Sequence, residues 1–148
     1  MRLDLSILIL RVGVGAFMLF GHGWNKLMGF SKLSGVFPDP LGFGSPISLA
    51  LAVFAEVFCS LLILLGIGTR LATIPLIITM LVAAFMIHGS DPFAKKEMAL
   101  MYLMIYSSLL FSGSGKFSVQ YMFMHRKSPK NKLAKWFFEM DPESSRTR

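Results

Sequence analysis

Eight side chains in or beside the apolar stretches of this chain have types suited to chemistry: Arg11, His22, Lys26, Glu56, His88, Glu97, Tyr102 and Tyr106. An ionised group at bilayer depth costs roughly 2.5–3.5 kcal/mol on insertion scales, so each needs a partner or a wet cavity. Arg11 and His22 are eleven residues apart, and His22 and Lys26 four. At ~3.6 residues per turn both spacings return to one helix face. With Gly15 they read as a polar stripe facing a bundle interior. Glu56 lies near the middle of the next apolar segment, which runs antiparallel to the first. The expected ion pair is Arg11–Glu56, leaving a buried net charge near zero.

His88 and Asp91 close the third apolar segment, and Glu97 opens the fourth. Tyr102 and Tyr106 follow on one helix face. These groups are expected to meet His22 and Lys26 at one membrane face, in a polar pocket floored by Arg11 and Glu56. Arg11 or His22 would donate to a ligand carbonyl, and Glu56 or His88 would handle a proton. The plainer reading gives each residue a structural task. Lys26 and His22 would snorkel to headgroups, Asp91 and Glu97 would cap helices, and Arg11–Glu56 would be glue.

The elements that must position these groups are helices. The 148 residues are 54% hydrophobic and only 16% charged, with a mean hydropathy of +0.62. Soluble domains carry roughly 25% charged residues, so lipid is the expected solvent. Four apolar segments, 5–28, 47–67, 71–88 and 97–112, approach the ~20 residues a spanning helix needs. None alternates with period two, which disfavours a β-barrel. The first segment, with Arg11 inside and no small-residue cleavage site, is expected to stay as a span. The predicted fold is an all-α integral membrane four-helix bundle, residues 1–121, followed by a basic tail, 122–148. Lys and Arg crowd the side that holds both ends, in Arg2, Arg70, Lys116 and the acid-free block Arg126–Lys135. That bias puts both termini in the cytoplasm. The basic block points to lipid headgroups and topology rather than nucleic acid. The Trp136–Glu143 stretch is expected either to lie on the membrane surface or to be a plain tail.

Several chemistries are disfavoured. The only cysteine, Cys59, rules out an internal disulfide or a C-x-x-C exchanger. GSGKFS lacks the spacing of a phosphate loop. The methionines form no cluster with both His22 and His88, and no dense set of metal ligands is visible, so no metal is expected.

The chain resembles the DoxX family of small bacterial membrane proteins. The resemblance rests on the early arginine in LILRVGVGAFMLFGHGWNKL with its HG-x-x-K close, and on the acid in FAEVFCSLLILLGIGTRLA. It continues through the third segment ending at His88 and the fourth from KKEMALMY to FSGSGKFSV. It covers about Leu5 to Val119. Where many relatives end the last turn in Ser-x-Asp, Gln120 holds the acidic place. The resemblance implies a four-helix bundle of the bacterial cytoplasmic (inner) membrane with a role in redox work beside a protein partner. The sequence carries no redox centre of its own. A quinone is the cofactor expected to fill that gap, making the chain an oxidoreductase component without demonstrated turnover. The alternatives are a non-enzymatic scaffold, or a small transporter working as a homo-oligomer.

Overall fold

The computed structural model describes residues 2–124; the basic block and the Trp136–Glu143 segment lie outside the described residues. Three helices are long and apolar enough to cross a membrane among the described residues: α1 (Arg2–Met28), α3 (Ser45–Leu65) and α4 (Thr69–Ile87). A fourth long helix, α5 (Phe93–Ser112), packs along α4. Two short helices complete the set, α2 (Phe30–Leu33) after α1 and α6 (Val119–Met124) after α5.

The burial pattern is that of a lipid-solvated protein. The core is thin: Met18, Ile63, Leu76 and Leu109 are buried where the long helices meet. Large apolar side chains such as Phe17, Phe20, Phe85 and Phe111 point outward and stay exposed. Such a surface would aggregate in water and is stable only against hydrocarbon.

The boundaries follow local chemistry. Gly66 and Gly68 both adopt left-handed backbone, with φ of 72° and 55°, and reverse the chain from α3 into α4. Pro92 caps α5 with an extended backbone. This helix starts four residues before the expected 97, because Lys95 and Lys96 fit its exposed first turn once proline has fixed the entry. Glu97 consequently sits inside α5, exposed, rather than at its start.

One end of the bundle carries the Gly66–Gly68 turn; we call it the turn end. The other carries the connection 34–44, the loop end. The turn end is tied by buried polar groups. Arg11 is 1% exposed and its Nη2 donates to Phe117 O at 2.6 Å. Gln120 Oε1 accepts from Gly68 N at 2.7 Å and from the Ser114 hydroxyl at 3.3 Å. Ser114 Oγ also reaches Thr69 Oγ1 at 3.0 Å. The Arg11 guanidinium lies at the C-terminal end of α3, where the helix dipole favours a cation.

A Cβ on Gly66 would overlap the Arg11 guanidinium and approach Ser118 Cβ to 2.6 Å. Gly66→Ala should therefore cost more than about 1 kcal/mol, from left-handed strain and the clash together. A thermal melt in detergent micelles will show it as a clear drop in Tm relative to the wild type.

Candidate functional site

Side-chain meetings depend on how α1 lies against α3. Glycines set that register. A Cβ on Gly15 would sit 3.1 Å from Ser60 O, and one on Gly23 would sit 2.7 Å from Glu56 O. The backbones therefore touch at these two levels, and the Glu56 level of α3 falls opposite Gly23 of α1. Arg11 falls opposite Gly66.

The expected Arg11–Glu56 pair does not form. The two residues are ten to twelve positions apart in register, roughly 15–18 Å at 1.5 Å per residue. Glu56 instead takes Lys26, whose Nζ lies 2.6 Å from Oε1 and 2.5 Å from Oε2. The carboxylate side chain is 4% exposed and the lysine 25%. Lys26 starts near the loop end and reaches inward along its aliphatic stem, which is why one methylene chain can connect water-side backbone to a buried acid. Arg11 stays apart at the turn end, with Nε and Nη1 making no hydrogen bond among the described residues.

The polar stripe is also redrawn. Residues Leu19–Gly23 form a π-helical turn, as do Phe54–Cys59 and Val82–Ile87. A π turn takes more residues per revolution, so the phase counted from Arg11 to His22 slips. These turns are placed tellingly: the first holds His22, the second holds Glu56, and the third runs into His88. Wide turns of this kind concentrate at functional sites.

Around the ion pair the loop end encloses a cavity of about 350 Å³. Its polar lining includes His22, Lys26, Glu56, His88 and Tyr102. The Tyr102 ring meets the His22 ring edge-on at 5.8 Å and stacks on Tyr106 at 6.0 Å. Tyr106 is fully buried beneath the cavity and does not border it. His88 Nδ1 lies 2.8 Å from Asp91 Oδ2, and Lys95 Nζ lies 3.7 Å from Asp91 Oδ1. The His88 hydrogen bond, helped by the Lys95 charge, holds the Asp91 carboxyl below its usual range. Five of the eight sequence-derived residues thus share one cavity. Arg11, Glu97 and Tyr106 do not border it.

Sequence reading missed the roof. Phe37, Pro38, Pro40 and Leu41 border the cavity from the connection 34–44. Asp39 shapes that connection by accepting from Ser48 Oγ at 2.7 Å, Gly44 N at 2.7 Å and Phe43 N at 3.0 Å. The D-P-L-G-F-G-S run is the available signal, since Asp near a turn folds back onto following backbone N–H groups. The Ser48 bond first, then these amides, hold the Asp39 carboxyl below its ordinary value. Among the described residues no group of three or more His, Cys, Asp or Glu could hold a metal ion.

Two outcomes are expected. Lys26→Met should cost on the order of 2–3 kcal/mol, near the low end for breaking a buried pair because Lys26 is partly exposed. Lys26→Met/Glu56→Gln, which removes both charges, should recover most of that loss in denaturation assays. For Asp39, a depressed carboxyl contributes its stability above the unfolded pKa and loses it as pH falls through the lower, folded value. The roof should therefore stay clasped from neutral pH down to the ordinary value of 3.8 and open below it. Hydrogen exchange at the Phe43 and Gly44 amides against pH will report the opening.

Residues 6–89, which hold the ion pair, His22, His88 and the roof, match the family model described as DoxX. No curated protein and no solved structure matches the chain.

Proposed function

Since the chain belongs to the DoxX family, we propose that its cavity is a ligand site of a redox-associated membrane subunit, and that the ligand is a quinone. The observation that carries this reading is the Lys26–Glu56 pair set at the inner end of a mostly apolar cavity. Small-molecule sites have this character: roughly 300–1,000 Å³, apolar walls, and a few placed polar groups. A quinone ring with two carbonyls fits such a donor set. Met18, Ala52, Met98 and Ala99 offer it apolar contact.

When bound, a quinone supplies two-electron chemistry that takes up and releases protons, and a partner redox protein exchanges the electrons. The chain's own residues do the rest. Lys26 Nζ donates a hydrogen bond to a ligand oxygen, and Glu56 holds or passes a proton at its carboxylate. His22 is steered by the edge contact with Tyr102. His88 is oriented through Nδ1 by Asp91, leaving Nε2 for the ligand side. The roof residues 37–41 limit water entry.

In this reading α5 is the fourth span, made marginal only by the charges of its first turns. The lysine and arginine bias puts the turn end and both termini in the cytoplasm of a bacterial inner membrane. The cavity then opens toward the outer face.

The test is a ligand analysis. Protein purified in mild detergent from native membranes should carry near-stoichiometric quinone in organic extracts. Lys26→Met/Glu56→Gln should stay folded and lose it. Wild-type protein with no quinone above the lipid background overturns the proposal.

A further inference from the structure

We infer that α3 and α4 part at the loop end to form a lateral portal, through which the hydrocarbon tail of a bilayer-borne ligand leaves the cavity for lipid. This rests on the reading of the cavity as a quinone site and narrows its ligand to tailed quinones.

The helix seams point to the portal. From the Gly66–Gly68 turn, α3 packs closely on α4 along Phe54–Leu65. The remaining part of α3, Ser45–Val53, packs instead on the Trp24–Met28 end of α1 and makes no comparable seam with Val82–Ile87 of α4. The other seams stay closed. α1 follows α3 along its length, α5 follows α4 through Val82–Ile87, and α5 meets Arg2–Met18 of α1, with the His22–Tyr102 ring contact bridging α1 and α5 at the level of the cavity. One side of the cavity is therefore left without a helix-to-helix wall.

The side chains at that gap face two ways. Leu51 from α3 and Ile78 and Val82 from α4 border the cavity. Leu51 is also 51% exposed and Ile78 53%. A residue that lines a cavity and is half exposed stands at its mouth. What lies outside this mouth is apolar: Phe54, Phe58, Leu81 and Phe85 flank it on the same two helices and are themselves exposed. A mouth on such a surface opens into hydrocarbon, not water.

The two ends of the cavity differ in chemistry accordingly. The inner end offers an ammonium and a carboxylate, and the mouth offers the aliphatic side chains of Leu51, Ile78 and Val82. The matching ligand has a polar ring and an apolar tail. It would enter sideways from the bilayer with its tail never leaving lipid, while the Asp39-clasped roof shields the ring from the aqueous side.

The experiment compares two ligands on the full-length protein in nanodiscs. One is a tailless methoxylated benzoquinone; the other is the same ring with a decyl tail, its concentration referred to the lipid phase. Binding of both is measured for wild type, Leu51→Trp and Val82→Trp. In wild type both should bind. In each tryptophan variant the tailed ligand should weaken at least tenfold, and the tailless ring should stay within twofold. Equal weakening of both ligands, or of neither, overturns the portal while leaving the quinone site standing. Failure of both ligands to bind wild type overturns the quinone reading and the portal together. Two variants guard against misfolding, since Leu51 and Val82 lie on different helices and unchanged tailless binding certifies each fold. Release of a stoichiometric phospholipid by the substitutions, with quinone binding intact, would assign the gap to a structural lipid and overturn the portal.

Discussion

The close approach of α1 to α3 governs everything else in this protein. Gly15 and Gly23 let the two backbones touch, and Gly66 lets the Arg11 guanidinium fold over the turn. Because the backbones touch, the register has no slack. A slide of one turn would drive a side chain into Ser60 O or Glu56 O. The register in turn decides which charges meet. Lys26 finds Glu56, and Arg11 finds the Phe117 carbonyl and the C-terminal end of α3. Close packing at two glycines of α1 thereby sets the electrostatics of the site.

This arrangement separates the bundle into two polar regions with different work. At the turn end, Arg11, Thr69, Ser114 and Gln120 bind backbone and one another, and hold the chain after α5 against the turn between α3 and α4. That network is buried. At the loop end, the charges and rings border open space. The difference follows from connection length. A three-residue turn forces α3 and α4 together, and the longer connection 34–44 lets the opposite ends spread and serve as a roof.

A buried ion pair by itself is weak support for chemistry, since pairs of this kind often do no more than satisfy each other. Here the context adds to it. The pair lies where a π-helical turn presents Glu56, beside another that presents His22, and at the end of a cavity lined by apolar side chains. A purely structural pair would have no need of the space. The exposed phenylalanines around the bundle are, by contrast, fully explained by contact with lipid.

The all-helical class, the apolar spans and most of the cavity's polar residues were legible in the sequence, because bilayer length and the cost of intramembrane charge leave few options. The sequence determined that Glu56 must have a cationic partner; it did not determine which one. Depth in antiparallel spans pointed to Arg11, but the glycine contacts set a different register, and only the tertiary structure decided for Lys26. The same holds for Glu97 and Tyr106. Their types and spacing suited a pocket, yet Glu97 lies on the exposed side of α5 and Tyr106 one turn too deep. The roof was hidden for a related reason, since a turn-rich connection shows where the chain bends and not what it covers. Composition and periodicity fix which residues must leave lipid, and the register between helices fixes whom they meet there.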